Sequence, residues 1–285
     1  MTQSHESLIV ISGASTGMGA ATARELSSRG YTVLSGVRRQ ADCGALRAAG
    51  AEPVILDITE GATIDALVAR VEEDGRPLRA LVNNAGIASN APVEALPLDE
   101  WRRIFETNVF GQVALTQALL PALRRSRGRV VTISSVGGRI AMPAYGAYAG
   151  SKYALEAISD ALRQEVAPSG VEVVIVEPGG VRTSMTARGT ATAQKLVAGM
   201  TAEQLAIYGD LMHAVIAHAE AFGRDGVSAE QAALVIARAA TEPRPRTRYT
   251  IGRDAAALTR LARVLPDRAL DRAIARTMKP HYPRS

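Results

Sequence analysis

The chain alternates short apolar runs with helical segments, and this alternation constrains its fold more than any other feature. Six apolar, β-branched runs each precede a segment of helical periodicity, from residues 8–12 to residues 171–180. Continuously apolar strands that are connected by helices are typical of parallel sheets covered on both faces. The sequence therefore predicts an α/β fold with a doubly wound parallel sheet of about seven strands and helices on both faces.

The boundaries of these segments follow from the apolar runs and from the glycines and prolines between them. Strands are expected at 8–12, 31–37, 52–58, 79–86, 128–135, 171–180 and 248–252. Helices are expected at 20–29, 42–49, 60–73, 98–125, 147–167 and 228–241, with Thr59 capping the third and an interruption of the fourth near 108–111. We interpret residues 1–252 as one domain with a helical insert, a substrate lid, at 184–226. Residues 253–285 would form a helical extension with Leu258, Leu261, Ala262 and Leu265 on one side.

The composition is that of a globular protein and excludes several classes. The chain has 285 residues, of which 47% are apolar and 21% charged, with a formal net charge of +5. Its basic residues are scattered, so no nucleic-acid partner is expected. A single cysteine, Cys43, and four histidines without ligand spacing predict neither a disulfide nor a metal site. The N-terminus lacks a signal-peptide pattern and no stretch of 18 apolar residues occurs, so we expect a cytoplasmic protein without an integral membrane segment.

A glycine-rich turn, SGASTGMG at residues 12–19, follows the first predicted strand and opens the first helix. Gly13, Gly17 and Gly19 would let the backbone turn tightly and let a pyrophosphate approach the amides of the helix N-terminus. The spacing is G-x-x-x-G-x-G rather than the more common G-x-G-x-x-G. In this strand–turn–helix context it predicts a dinucleotide site, with Ser15, Thr16 and Met18 also beside the cofactor.

The end of the second predicted strand indicates which dinucleotide is bound. NAD-selective sites place an acidic side chain there, on the ribose 2′-hydroxyl. This chain instead has Arg38 and Arg39, and no acid before Asp42. Guanidinium groups suit a 2′-phosphate, so we expect NADP, with NAD less favoured. Asp57, after the third strand, would accept a hydrogen bond from the adenine amino group, and its neighbour Ile58 would lie beside the cofactor.

Tyr148 and Lys152 lie four residues apart in a predicted helix, so their side chains share one face. A phenol, with a pKa of about 10, is a poor acid at neutral pH unless a nearby ammonium favours its anion. Lysine is rare here, with three among 33 basic residues, and a guanidinium would not replace its compact head. Tyr145 lies almost two turns from Lys152 and ahead of the helix start, which makes it the worse partner.

Across about residues 6–252 the chain resembles the short-chain dehydrogenase/reductase family, because several motifs occur in that family's order. They are the glycine-rich turn, Asp57, NNAG at 83–86, Asn108, ISS at 133–135, Y-x-x-x-K at 148–152 and PGGVRT at 178–183. The family usually has threonine where Ser12 stands, and serine keeps the hydroxyl group. The resemblance implies a Rossmann-type fold.

The resemblance also implies a role for each motif. Tyr148 would be the general acid and base, Lys152 would lower its pKa and bind the nicotinamide ribose, and Asn108 would hold a water in a proton relay. The family's serine lies 13 residues before the tyrosine and corresponds to Ser135, while strand alternation turns Ser134 to the opposite face. The remaining cofactor contacts would come from Asn84, Ala85, Gly86, Pro178, Gly179, Val181 and Thr183.

These roles predict an oxidoreductase in which NADP(H) exchanges a hydride with an alcohol or carbonyl carbon while Tyr148 moves the proton. Apolar loops beyond the strand ends indicate a hydrophobic primary or secondary alcohol, or its aldehyde or ketone, as in retinol and hydroxysteroid dehydrogenases. The residues expected at the substrate are Ile87, Ile140, Met142, Tyr145 and Met185, although Tyr145 would serve equally well as a packing residue. Two alternatives stay open: a reductase of carrier-bound β-ketoacyl or polyketide groups, and a non-catalytic NADP-sensing protein.

Two further expectations concern the contacts of the extension at 253–285 and the oligomeric state of the protein. Arginines among the leucines of the extension would suit peripheral contact with an anionic membrane surface. Packing against the insert or a neighbouring subunit is the favoured alternative. Members of the resembled family commonly assemble through their long helices, so a homodimer or homotetramer is expected.

Overall fold

Seven parallel strands form the central sheet of the computed structural model, which describes residues 7–283. Residues 1–6 and 284–285, where the predicted domain begins and the predicted extension ends, lie outside this range. The strands are β1 (Leu8–Ile11), β2 (Thr32–Val37), β3 (Glu52–Ile55), β4 (Leu78–Asn83), β5 (Arg129–Ile133), β6 (Glu172–Pro178), β7 (Val181–Arg182), β8 (Val227–Ser228) and β9 (Arg248–Ile251). The sheet order is β3-β2-β1-β4-β5-β6-β9, and β7 pairs with β8 separately. The order reverses between β1 and β4, and open α/β sheets bind ligands at the carboxyl ends of strands at such a reversal.

Helices cover both faces of this sheet. They are α1 (Gly17–Ser28), α2 (Cys43–Ala48), α3 (Gly61–Asp74), α4 (Leu98–Phe105), α5 (Gly111–Ser126), α6 (Gly146–Val166), α7 (Ser184–Ala198), α8 (Ala202–Asp225), α9 (Ala229–Thr241), α10 (Arg253–Val264) and α11 (Asp267–Met278). One core lies under α1, α2 and α9, and the other under α3, α5 and α6. Alternate residues of β1 divide between them, with Ile9 in the first core and Val10 in the second. The predicted doubly wound parallel sheet is confirmed.

Some element ends differ from the prediction. β3 ends at Ile55 instead of residue 58, and β4 at Asn83 instead of residue 86, because the chain leaves the sheet there to form loops. The prediction that Thr59 caps this helix was wrong, since Glu60 is the N-cap residue of α3. Thr59 instead donates its backbone N–H and its hydroxyl to Asp57 Oδ1, at 3.1 and 2.8 Å. This pair lies at the edge of the sheet where the cofactor is expected.

The interruption predicted near residues 108–111 is a π-helical turn. It covers Glu106–Phe110 and joins α4 to α5. Such a turn adds one residue to the helical path and rotates the side chains around it. Asn108 lies in this turn and is fully buried.

The insert at 184–226 consists of α7 and α8, and the short β7–β8 pair closes its base. Val181 pairs with Val227, and Arg182 with Ser228. Sequence periodicity did not indicate this pair, because two residues are too short for a recognisable alternation.

The extension differs from the single helix that the sequence predicted. Pro266 separates α10, which ends at Val264, from α11, which begins at Asp267, because proline cannot continue a preceding helix. Leu261 is 39% exposed, so it does not lie on the packed side of α10 as expected. Met278 of α11 is buried with Met212 of the insert. The extension therefore packs against the insert. No helix within residues 7–283 has the length and apolar character needed to cross a bilayer.

Candidate active site

Ser135 and Tyr148 meet at the carboxyl end of β5. Ser135 follows that strand, and its Oγ accepts a hydrogen bond from the Gly137 backbone N–H at 3.0 Å. Burial raises the pKa of the Tyr148 phenol, and a hydrogen bond with Ser135 opposes that increase. A Cβ at Gly137 would lie 3.2 Å from Tyr148 Cε1 and 3.4 Å from Ser135 Oγ, so glycine there lets the two side chains approach. The structure thus joins the predicted serine and tyrosine, and adds Gly137, which the sequence analysis missed.

Ser134, the serine rejected from the sequence, lies on the other side of this segment. Its Oγ is buried, and it lies close enough to Glu156 to oppose the rise in the pKa of that carboxyl caused by burial. A Cβ at Gly138 would lie 2.7 Å from Ser134 Oγ and 3.1 Å from Glu156 Cγ, which places this serine next to Glu156. The neighbour of Tyr148 is therefore Ser135.

Lys152 lies one turn after Tyr148 on α6 and is 4% exposed. Its Nζ donates to the Ile133 carbonyl at 2.9 Å and lies 5.9 Å from the centroid of the Tyr148 ring. Burial lowers the pKa of Lys152 from 10.5 to about 8, and Glu156 opposes that change. The lowering of the Tyr148 pKa by Lys152 stays a prediction, and burial of the phenol acts in the opposite direction and raises its pKa.

A buried ionic network lies behind Lys152. Glu156 and Glu177 both pair with Arg139, each at 2.9 Å. Arg248 of β9 reaches Glu156 at 3.1 Å and Asp160 at 2.6 Å. Burial raises the pKa of Glu156, and the two arginines oppose that increase. The network connects α6, β6, β9 and the segment after Ser135, and so fixes the helix face that carries Lys152.

Asn108 uses its side-chain amide to hold neighbouring backbone. Its Oδ1 accepts from the Ile87 N–H at 2.8 Å, while its Nδ2 donates to the Ile87 carbonyl at 2.9 Å and to Ser151 Oγ at 3.0 Å. Both amide hydrogens are therefore occupied. The water-holding role expected for Asn108 stays a prediction, and the observed contacts make it a residue that positions the loop after β4.

A cleft of about 510 Å³ runs along the carboxyl ends of β1, β2 and β4. Predicted cofactor residues line it: Gly13, Ser15, Thr16, Gly17, Met18, Gly19, Arg38, Arg39, Asp57, Ile58, Asn84, Ala85, Gly86 and Thr183. Tyr148, Lys152, Pro178, Gly179 and Val181 line an adjoining cavity that shares Met18, Asn84, Gly86 and Thr183 with the cleft. The structure thus brings the predicted cofactor residues together around one continuous space.

The glycine-rich turn is shaped for close approach. Gly13 and Gly17 have φ angles of +67° and +59°, which favour glycine. A Cβ at Gly19 would lie 2.5 Å from both Asn84 Nδ2 and the Gly13 carbonyl. Asn84 donates to the carbonyls of Ser12 and Gly13 at 3.0 Å, and Ser12 Oγ accepts from two backbone amides after β4 at 3.1 Å. Serine therefore keeps a hydroxyl contact between the turn and the NNAG segment.

The two arginines after β2 are not equivalent. Arg39 forms a two-point ion pair with Asp42, at 2.8 and 3.0 Å, although it is 75% exposed. Arg38 is exposed and makes no hydrogen bond or ion pair within residues 7–283. Arg38 is therefore the guanidinium available for an added phosphate. A dinucleotide fits this donor set, since positive-φ glycines, a helix N-terminus and a free arginine lie along one cleft.

The cavity beside Tyr148 has a volume of about 170 Å³. Of the predicted substrate residues, Tyr145 and Met185 line it. Ile87 lies in the cofactor cleft instead, and Ile140 is buried and lines neither space. Met142 packs with Ala144 and Met278, and faces a separate cavity that is closed by the extension. The apolar character of these loops could not distinguish a cavity wall from core.

Several residues at the site were missed. Ser184 and Arg188 of α7 reach the cofactor cleft, where Ser184 Oγ donates to Thr16 Oγ1 at 3.1 Å and accepts from Arg188 at 2.8 Å. Ser184 and Arg188 are four residues apart and follow PGGVRT directly, so one helical face carries both. This spacing was the signal that could have identified them from the sequence. Asp254 of α10 accepts from the Gly180 N–H at 2.8 Å, and no local pattern indicated it. Ala88, Asn90, Thr190, Ala219 and Phe222 add to the cavity wall.

Known proteins resemble this chain over most of its length. The sequence profile described as short chain dehydrogenase matches residues 7–194. The NADPH-dependent 3-dehydrocapnine reductase of Ornithobacterium rhinotracheale is 30% identical over 280 residues, covering 95% of this chain and 96% of that protein. Retinol dehydrogenase 5 of Mus musculus is 35% identical over 288 residues, covering 93% and 87%. A crystal structure of a short-chain dehydrogenase from Streptomyces avermitilis has a TM-score of 0.75 at 30% identity, covering 98% of this chain and 97% of that chain.

Proposed function

The chain belongs to the short-chain dehydrogenase/reductase family and is an oxidoreductase, and on that premise we propose that it interconverts a hydrophobic alcohol and its ketone or aldehyde with NADP(H). The observation that carries the proposal is the junction at the end of β5. There Ser135, Tyr148 and Lys152 lie together where the cofactor cleft meets a small cavity.

The cleft supports NADP as the cofactor. Arg38 is free to meet a 2′-phosphate, while no acidic side chain stands at the end of β2 to take a 2′-hydroxyl. A relative that covers nearly the whole chain is named as NADPH-dependent. When bound, the nicotinamide supplies or accepts the hydride. The lid residues Ser184 and Arg188 would lie over the phosphates, because both line the cleft beside the glycine-rich turn.

The side chains supply the proton chemistry. Ser135 Oγ accepts the Gly137 N–H, and its hydroxyl hydrogen, which faces Tyr148, can turn to donate to a carbonyl oxygen that binds between the two side chains. Tyr148 carries its proton at neutral pH, as an ordinary phenol does, and burial, which raises its pKa, keeps it protonated, so it can act as the proton donor during reduction. Lys152, with a pKa of about 8, can return a proton to this region near neutral pH. Oxidation of the alcohol uses the same groups in reverse.

The relatives and the cavity support a hydrophobic substrate. Retinol dehydrogenases occur among the relatives, and Ile133, Met185 and Phe222 line the cavity. Its 170 Å³ is close to the volume that holds benzene in an engineered protein cavity. The reacting end of the substrate therefore lies there, and a long chain would extend beyond this cavity.

We also infer a cytoplasmic protein that assembles as a homodimer or homotetramer. Tyr153 and Ile158 of α6 are 45% and 37% exposed, and Phe110 beside α5 is 58% exposed, which supports contact through these long helices. Light scattering of the purified protein tests the assembly.

Replacement of Tyr148 by phenylalanine tests the proposed function. Loss of a general acid typically lowers turnover about 10²- to 10⁴-fold, so Tyr148→Phe should oxidise NADPH at most at ~1% of the wild-type rate. The assay follows NADPH and NADH consumption with aliphatic, retinoid, steroid and acyl-thioester carbonyls. NADPH affinity, measured by its fluorescence, should stay close to the wild-type value.

The matched control is Tyr153→Phe, since this tyrosine lies on the same helix but lines neither the cleft nor the cavity. It should retain activity. A Tyr148→Phe variant with near wild-type turnover would contradict the assignment.

A further inference from the structure

The cavity beside Tyr148 contains polar groups that the proposed reaction does not use. Asn90, on the loop after β4, lines this cavity and is 7% exposed. Its Oδ1 has no hydrogen-bond partner in the part of the chain that the structure describes. Buried polar atoms are nearly always paired, and an exception in a native protein needs an explanation, such as a bound water, an ion or a functional contact.

Tyr145 is the neighbour of Asn90 in the wall of this cavity. Burial raises the pKa of Tyr145 to about 12, and a hydrogen bond with Asn90 opposes that increase. Tyr145 therefore stays neutral at any physiological pH, while Asn90 Oδ1 has no hydrogen-bond partner within residues 7–283. From the sequence, Tyr145 could be either a wall of the substrate pocket or a packing residue. Its position supports the first role, because it lines the cavity and contacts Asn90.

Thr190 supplies a second polar atom without a partner in the described part of the chain, from a different element of the cavity wall. It belongs to α7 of the insert and lines the same cavity, and its Oγ1 is buried without a partner among residues 7–283. An amide oxygen only accepts hydrogen bonds, whereas a hydroxyl donates and accepts. The two free atoms together match a group that does both, which is a hydroxyl or an amino group.

Ser135 and Tyr148 are committed to the reacting oxygen, so this group must be a second one. On the basis of the proposed function, we propose that the substrate carries a hydroxyl or amino group close to its reacting carbonyl, and that Asn90 and Thr190 bind it. The small volume of the cavity, about 170 Å³, keeps that group within a few bonds of the carbonyl carbon. A plain ketone would leave both polar atoms without a partner.

Two ketones that differ in one group test this inference. In 1-hydroxydecan-2-one a hydroxyl stands where undecan-3-one has a methyl group. The hydroxyl also raises the intrinsic reactivity of the carbonyl, so the test rests on how substitutions change the ratio of kcat/KM for the two ketones. Asn90→Leu should reduce that ratio at least about tenfold, the effect of a lost hydrogen bond in a buried site. Thr190→Val should reduce it in the same direction.

Met185→Leu is the matched control, because it changes an apolar wall of the same cavity and should leave the ratio as it is in the wild type. A second measurement is independent of turnover. Each ketone is titrated against the NADPH complex of Tyr148→Phe with and without Asn90→Leu, and the quenching of bound NADPH gives the affinity. Only the hydroxy ketone should bind more weakly when Asn90 is replaced.

The outcomes separate this inference from the function on which it rests. An equal ratio in the wild type and Asn90→Leu, with folded protein that binds NADPH, overturns the inference and leaves the oxidoreductase intact. That result would mean that water satisfies Asn90 with either ketone. Failure of the wild type to reduce or bind any carbonyl of the panel would overturn both.

Discussion

Burial of Lys152 destabilises the folded chain by an amount that can be measured. Its pKa falls from 10.5 to about 8 because burial disfavours the charged form. Each pKa unit corresponds to about 1.4 kcal/mol, so the ammonium costs about 3 kcal/mol of folding free energy at neutral pH. Between pH 8 and pH 10.5 the unfolded chain binds more protons at this site than the folded chain does. Stability therefore rises with pH across that window.

Lys152→Met isolates this contribution, because methionine fills similar space without a charge. Urea unfolding of the wild type and the variant at pH 7, 8, 9 and 10 gives two free energies at each pH. The difference between them should shift in favour of the wild type by roughly 2 kcal/mol from pH 7 to pH 10, with most of the change above pH 8. Loss of the hydrogen bond to the Ile133 carbonyl adds an offset that does not depend on pH.

Lys195→Met is the control, since Lys195 is an exposed lysine on α7. Its unfolding free energy should follow that of the wild type across the pH range. If the unfolding free energy of Lys152→Met also runs parallel to that of the wild type from pH 7 to pH 10, Lys152 is not buried as an unfavourable charge, and the reasoning is refuted.

Two further substitutions test the cofactor cleft. Arg38→Ala should weaken NADPH binding about tenfold or more and leave NADH binding unchanged, while Arg39→Ala should have the smaller effect because Asp42 already pairs with Arg39. Fluorescence titration measures both, and an equal loss for the two cofactors would contradict the assignment. Asp254→Ala should lower the unfolding free energy by about 1–2 kcal/mol, because the Gly180 N–H loses its acceptor. It should also weaken NADPH and NADH equally, and unchanged affinity for both would count against a link from α10 to the cofactor loop.

The sheet was predictable because its strands are buried on both faces and are therefore apolar throughout. Val173, Val174 and Ile175 of β6 are all buried, although they alternate between the two faces. The same property hid the strand ends, since apolar residues continue into the loops at the carboxyl edge. The break in the extension was marked by Pro266, but the leucine spacing on either side of it resembles one helix.

Candidate site residues could be grouped from the sequence where they lie close together along the chain. Tyr148 and Lys152 are separated by one helical turn, and the glycines share one turn of chain. The ionic network behind Lys152 could not be predicted from the sequence, because Arg248 lies 92 residues from Glu156. The two side chains meet only because β9 lies beside β6 in the sheet. Asn90 shows the same limit, since neither its loop nor its neighbours indicate that its oxygen has no partner.

The β7–β8 pair gives the insert a single point of attachment. Residues 182 and 228 lie in register on adjacent strands, so the chain leaves the central fold and rejoins it at nearly the same place. A helical hairpin of another length could therefore be grafted between these two strands with little change to the spacing that the sheet requires. This exchange would remove Thr190, which belongs to the insert, whereas Asn90, Ser135 and Tyr148 lie outside the insert and would be retained. Such an exchange would therefore alter one part of the proposed substrate contact while the Asn90 part and the Ser135–Tyr148 pair stay in place.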